Sequence, residues 1–218
     1  MYIKTVRIFF SKSGRAIYIS HLDLMRAMTR AFSRSGLPVW YTQGFHPHLY
    51  ITFALPLSLG TTGLCESMDV RLLEEVSDEE IISRLNAALP EGLHAVSAGE
   101  PVMEPKEIMW ADYHVHLRCA VSEGQQALKH FSALEEIPMQ KRSKKGIKTV
   151  DIKPMLQILS VEEQSDGLLL TMRCRAGVEI NLNPTLALDA LAELTSFKAD
   201  WATIERFAIL NETLEDFK

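Results

Sequence analysis

Apolar and polar positions alternate from Tyr2 to Phe10, a stretch rich in Ile, Val and Phe, and that period of two predicts a strand. Ser11-Lys12-Ser13-Gly14 reads as a turn, and Ala16-Ile17-Tyr18-Ile19 looks like a second strand segment. The period then changes. Leu24, Ala27, Met28, Ala31 and Phe32 recur at helical spacing behind Ser20, a good N-cap, with Asp23 placed to favour the helix dipole. Gly36 and Pro38 end that helix near Ser35. Val39–Thr42 and Leu49–Leu55 are predicted strands around the loop Gln43–His48, and Leu64–Leu73 alternates as another. Ser77 caps a helix over Asp78–Leu89, stopped by Pro90 and Gly92, and Leu93–Val102 returns to strand.

Pro101 and Pro105 punctuate a polar connection that is the best domain boundary. Beyond it, Ala111–Val121 alternates, with Tyr113, Val115 and Leu117 opposite His114, His116 and Arg118. A helix near Glu123–Leu134 precedes strands near Ile137–Arg142, Ile147–Ile152, Ile158–Glu163 and Leu168–Cys174. Pro184 suits the start of a helix over Asn183–Thr195, and Thr203–Leu210 closes as a strand. Each half runs strand, helix, strands, helix, strand. The expectation is an α+β chain of two ferredoxin-like (βαββαβ) subdomains in tandem, residues 1–104 and 105–218, with antiparallel sheets and helices on one face. Duplication is suggested by element order alone, because no residue-level repeat is visible.

Composition adds bounds. The 218 residues are 47% hydrophobic and 23% charged, close to soluble globular averages, and no apolar run is long enough for a membrane-spanning helix. Cys65, Cys119 and Cys174 are odd in number and far apart, which argues against a disulfide framework. The N-terminus shows no signal-peptide pattern, so a soluble cytoplasmic protein without a membrane partner is expected. The net charge of −5 is unevenly spread: residues 1–60 carry seven Lys/Arg against Asp23 alone. A second basic island, Lys141 to Lys153, sets six basic residues against Asp151. Both suit a phosphate-binding face, and both equally suit ordinary solvated segments.

Signatures of nucleotide-phosphate cradles and of nucleophilic hydrolysis are absent, and the cysteines lack iron–sulfur spacing, so no cofactor of its own is expected. His46-Pro47-His48 is a weak candidate for a metal site, and His21 a weak candidate for proton transfer at a ribose hydroxyl. His114 and His116 read as a solvent-facing strand side. Arg26, Arg30 and Arg34 recur every four residues. Arg26 can pair with Asp23, whereas Arg30 and Arg34 have no acid within a turn and remain available for phosphates. Tyr41, Phe45 and Tyr50 offer rings for stacking on bases, or for the core.

One set of residues resembles a known family. Lys12-Ser13-Gly14, Ile19 to Arg26 (with Ser20, His21 and Asp23), Arg30, Gly36-Leu37-Pro38, Tyr41 to His48 (with Gly44 and Pro47), Phe53 to Leu57, Gly60 and Glu66 are similar to the bacterial radical SAM-associated proteins built on the DUF2344 domain. Lys144-Lys145-Gly146 and Val150 to Pro154, including Asp151, resemble its second-half motif. The resemblance implies an accessory to a radical SAM enzyme, with no chemistry of its own assigned.

The expected function is therefore a non-catalytic module that binds RNA (tRNA or ribosomal RNA) and presents it to a radical SAM partner. Arg26, Arg30, Arg34, Lys144, Lys145 and Lys148 would contact phosphates, and His21, Tyr41, Phe45 and His46 would line the groove. Two alternatives stay open. One is an adaptor that docks on the radical SAM partner without RNA. The other is an RNA-processing or RNA-modifying enzyme using His21.

Overall fold

The computed structural model describes residues 4–143 and 146–218. The chain forms a mixed α+β structure in two compact units, the first running to Glu107 and taking in Phe217–Lys218, the second spanning Ile108–Asp216.

The first unit contains β1 (Lys4–Lys12), a 3-10 turn (Gly14–Tyr18), α1 (His21–Ser35), β2 (Ile51–Phe53), β3 (Thr61–Leu72), α2 (Asp78–Asn86) and β4 (Leu93–Gly99). Its strands lie in the order β4-β1-β3-β2, each antiparallel to its neighbour. Val6 and Ile8 on β1 face the same side as their register partners Val70 and Met68 on β3. Leu24, Met28, Ala31 and Phe32 of α1 and Ile81 and Leu85 of α2 cover that side, giving one buried cluster with both helices on one sheet face. Each large apolar side chain buried there contributes about 1.5–3 kcal/mol. Both helices start at a serine whose side chain accepts a backbone N–H, Ser20 from Asp23 and Ser77 from Glu80. Gly36 ends α1 at φ 64°, where a side chain would be strained.

The second unit contains β5 (Trp110–Arg118), α3 (Val121–Ala133), β6 (Pro138–Ser143), β7 (Gly146–Asp151), β8 (Leu156–Gln164), β9 (Gly167–Arg175), α4 (Pro184–Thr195) and β10 (Trp201–Leu210). Its antiparallel sheet runs β10-β5-β9-β8, while among the described residues β6 and β7 pair only with each other. The alternation read in the sequence places Val115 and Leu117 against Leu170 and Leu168 in register. Gly124 lets α3 approach closely, because a Cβ there would lie 2.7 Å from Leu168 Cδ1.

Three segments differ from their expected form. Ala16–Ile19 is not a strand: Gly14 turns the backbone at φ 55° and the Gly14–Tyr18 segment coils as a 3-10 turn. Its carbonyls are taken by Lys12 Nζ (Ile17 at 3.4 Å, Ile19 at 3.2 Å) and by Gly60 N–H, leaving no ladder for a sheet neighbour. Val39–Thr42 contributes only isolated bridges, Val39 to Leu72 and Tyr41 to Leu49, and of Leu49–Leu55 only Ile51–Phe53 is strand. Strands near Ile137–Arg142 and Ile147–Ile152 exist, but as a separate hairpin. Among the described residues no helix is long and apolar enough to cross a membrane.

In each unit a bidentate ion pair joins register-opposed residues of the two central strands. In the first unit Arg7, 1% exposed, donates Nε and Nη2 to the two Asp69 carboxylate oxygens at 2.8 Å each. Its Nη1 donates to the carbonyls of Met103 and Lys218, and the guanidinium lies 4.3 Å from the Phe217 ring centroid. In the second unit the polarity is reversed: Arg173 on β9 donates to Asp112 on β5 at 2.7 and 2.8 Å. Removing one partner of such a pair strands the other charge, so Asp69→Ala is expected to cost about 3–5 kcal/mol in urea unfolding. Asp69→Asn, which still accepts from Arg7, is expected to cost less.

Candidate functional site

The residues that carry the family-like pattern lie mainly in the first unit and separate into a buried scaffold and a solvent-facing rim. Lys12 belongs to the scaffold. A register shift after Phe10 places it opposite Gly63, 1% exposed, with its ammonium holding the carbonyls of the 3-10 turn. Glu66, 3% exposed, is on the same side of β3 and folds over Gly63; a Cβ on Gly63 would lie 2.5 Å from Glu66 Oε1. This local structure fixes the entry of α1. There Ser20 Oγ accepts Asp23 N–H at 3.1 Å and donates to Asp23 Oδ2 at 2.8 Å, while Arg26 donates to Asp23 Oδ1 at 3.0 Å. His21, exposed in the first turn, packs edge-to-face on Phe53 at 5.1 Å, and Phe53 packs on Phe10 at 5.9 Å.

The rim begins along α1. Arg26 forms an exposed ion pair with Asp23. Arg34, exposed on the same helix, donates Nη2 to the Ala88 carbonyl at 2.6 Å, closing the end of the α2 region. Arg84 of α2 returns the favour by donating to the carbonyls of Ser35 and Gly36. Arg30 is exposed and has no partner among the described residues. One turn on, Ser33 Oγ and Tyr41 Oη approach to 3.4 Å, so Tyr41 sits beside the exposed face of α1. Beyond Tyr41 the chain forms a closed loop. Thr42 N–H donates to the His48 carbonyl at 2.8 Å, and His48 N–H donates to Thr42 Oγ1 at 3.1 Å. Gly44 takes φ 135°, and Phe45 at the loop tip is 100% exposed, followed by exposed His46 and Pro47. His48 Nδ1 is engaged by Thr42 Oγ1 at 3.0 Å and the His46 carbonyl at 3.2 Å. Among the described residues no group of three or more His, Cys, Asp or Glu is placed to hold a metal ion.

In the second unit, the family-like Asp151 clamps the base of the β6–β7 hairpin: its Oδ1 accepts from Ile137 N–H at 2.8 Å and Lys153 N–H at 3.0 Å. Lys148 is exposed on β7. Lys144 and Lys145 lie outside the described residues. His114 stacks on Phe207 at 4.1 Å and faces Glu205 at 3.5 Å, both on β10, and His116 Nε2 meets Asp166 of the β8–β9 turn at 3.0 Å. No thiol is primed for attack at the two sites where burial acts: it raises the Cys119 thiol and pushes Cys174 up to about 12.

Sequence reasoning passed over one cluster. Trp40 N–H donates to the Arg71 carbonyl at 2.8 Å and Tyr50 N–H to the Trp40 carbonyl at 3.2 Å, which aligns the three side chains at the β3 end. The Arg71 guanidinium lies 4.0 Å from the Tyr50 ring centroid and 5.2 Å from that of Trp40. Tyr50 was visible as a ring available for stacking, whereas Arg71 lies inside Leu64–Leu73, which the sequence marked only as an alternating strand. Only the register joins them.

The Ser20 hydroxyl is the first cause holding the Asp23 carboxyl below the usual carboxylate range, followed by Arg26. Because the folded value is depressed, this contribution to stability is present at neutral pH and fades as acid carries the solution down through the Asp23 titration. Ser20→Ala is expected to move that titration up toward an ordinary aspartate, read by NMR of the carboxyl carbon against pH, and to lower the thermal midpoint through the lost cap.

Among solved structures, an unknown protein from Galdieria sulphuraria is similar at 12% identity and a TM-score of 0.27, covering 94% of this chain and 98% of that one. No curated protein matches. The match to a family model is extensive, running over residues 5–184 and so through Lys12, the α1 entry, the Phe45 loop and Asp151. The chain belongs to the DUF2344 family, described as an uncharacterized protein conserved in bacteria.

Proposed function

We propose that this chain is a non-catalytic RNA-binding module of the bacterial cytoplasm that presents tRNA or ribosomal RNA to a radical SAM enzyme. The radical SAM partner enters through the family resemblance of the motifs. We read the scaffold as two ferredoxin-like units in tandem. Its support is that the strand order β4-β1-β3-β2 recurs as β10-β5-β9-β8 once the β6–β7 hairpin is set aside as an insertion.

One observation carries the reading. A fully exposed phenylalanine stands at the tip of a loop braced by its own hydrogen bonds, next to an exposed imidazole, with Tyr41 beside the exposed face of α1 and Arg30, without a partner among the described residues, on that face. An exposed ring gains nothing in the free protein, whereas a base stacked on it is worth about 1–3 kcal/mol. Arg30 and Lys148 supply phosphate contacts, and Arg26 can exchange Asp23 for a phosphate.

A second observation favours docking by the same unit. Tyr18, Leu22 and Leu59 are 65%, 55% and 66% exposed, and Gly60 N–H bonds to the Ile17 carbonyl, which ties the backbone next to Leu59 to that next to Tyr18. Apolar side chains of that size in solvent fit a protein contact. The adaptor reading keeps this surface and drops the RNA.

Binding of the purified chain to total cellular RNA across a salt series tests the proposal. Affinity is expected to fall steeply with salt, and the Arg30→Glu/Lys148→Glu variant to bind weaker, with a slope shallower by about 0.7 per lost contact on single strands. Absence of binding at low salt, or unchanged affinity in the variant, would sink the RNA reading.

A further inference from the structure

On the face of the first sheet away from its helices, β3 presents Ser67, Asp69 and Arg71 in alternation. Arg7 consumes both oxygens of Asp69. Arg71, the next residue on that face, lies opposite Thr5 in register and so meets no acid there. Among the described residues its guanidinium has neither a carboxylate nor a hydrogen-bond acceptor. Glu74 and Glu75, just past the strand, do not pair with it. What it has instead is two rings: Tyr50 at 4.0 Å and Trp40 at 5.2 Å from its central carbon, themselves 5.9 Å apart and inclined at 61°.

This is a cation immobilised without being neutralised. The rings restrict the guanidinium plane through cation–π attraction but take up none of its N–H donors. The half-buried side chain is ordered before any ligand arrives, so little freedom is lost when one binds. A planar fork with its donors unspent matches two oxygens of a phosphate. The flanking rings suit nucleobases next to that phosphate, and the Trp40 indole N–H and the Tyr50 hydroxyl are likewise unpaired among the described residues.

We propose that Arg71, clamped by Trp40 and Tyr50, is a phosphodiester-binding site for single-stranded RNA. The inference rests on the RNA reading above and adds a residue outside the basic segments from which that reading began. Bound oxygens would accept from the guanidinium edge while the rings hold its plane.

The test is fluorescence anisotropy of a labelled oligouridine with the full chain, its Arg71→Gln and Arg71→Lys variants, and Tyr50→Leu, each checked by circular dichroism for native fold. Arg71→Gln is expected to bind about tenfold more weakly, with the salt slope reduced by about 0.7. Arg71→Lys should keep the slope yet lose affinity, because the charge stays and the fork goes. Tyr50→Leu, which leaves Arg71 in place, should weaken binding severalfold by releasing the guanidinium. Oligouridine binding that is equal in wild type and Arg71→Gln would overturn the site and leave the RNA reading standing. No binding by the wild type at low salt would overturn both. A polyglutamate peptide of matched charge that competes as well as unlabelled oligouridine would overturn the phosphate assignment.

Discussion

A guanidinium removed from water must have its charge answered and its donors occupied, and Arg7 imposes that demand at the centre of the first sheet. Its exposure is 1%, and its partners come from β3, from Met103 and from Lys218. The pair fixes the β1–β3 register, because a one-residue slip would put Asp69 on the helix face and leave Arg7 charged and unpaired. It also ties down the segments at Met103 and Phe217–Lys218. The same demand has a consequence two residues along β3: with Asp69 committed to Arg7, Arg71 is left to aromatic rings. The second sheet solves the same problem with the charges exchanged, Asp112 on its first strand and Arg173 on its third. Such a pair constrains a sheet whichever strand supplies the cation.

The family-like residues divide by what they touch. Lys12, Ser20, Gly36 and Asp151 serve the fold: an ammonium for turn carbonyls, a helix cap, a left-handed stop and a hairpin clamp. Arg34 joins them through the Ala88 carbonyl. Phe45, His46, Leu22, Tyr18 and Arg30 instead turn their side chains to solvent. Rings, an imidazole and a guanidinium without a partner among the described residues are thus exposed on the first unit, as the proposed RNA contact requires.

Much of this was legible in the sequence for identifiable reasons. The α1 stripe, its Ser20 cap and its Gly36 stop are set by local spacing and side-chain chemistry, so they could be read within one helix. The alternation through Tyr113, Val115 and Leu117 announced β5 in the same way. Ala16–Ile19 misled because four apolar and aromatic residues resemble a strand, while their form follows from the Gly14 turn and from Lys12 and Gly60 taking their carbonyls. The Arg71 cluster was hidden because Trp40, Tyr50 and Arg71 lie on three segments, joined only by backbone hydrogen bonds between them.

The central claim is that the first unit holds RNA through rings and unspent arginines. It is tested most directly by photocrosslinking the chain to 4-thiouridine-bearing cellular RNA and mapping the crosslinked peptides by mass spectrometry. The account predicts crosslinks on peptides that contain Trp40, Phe45 and Tyr50. Crosslinks confined to the α3 and α4 peptides of the second unit, or none at all, would contradict it.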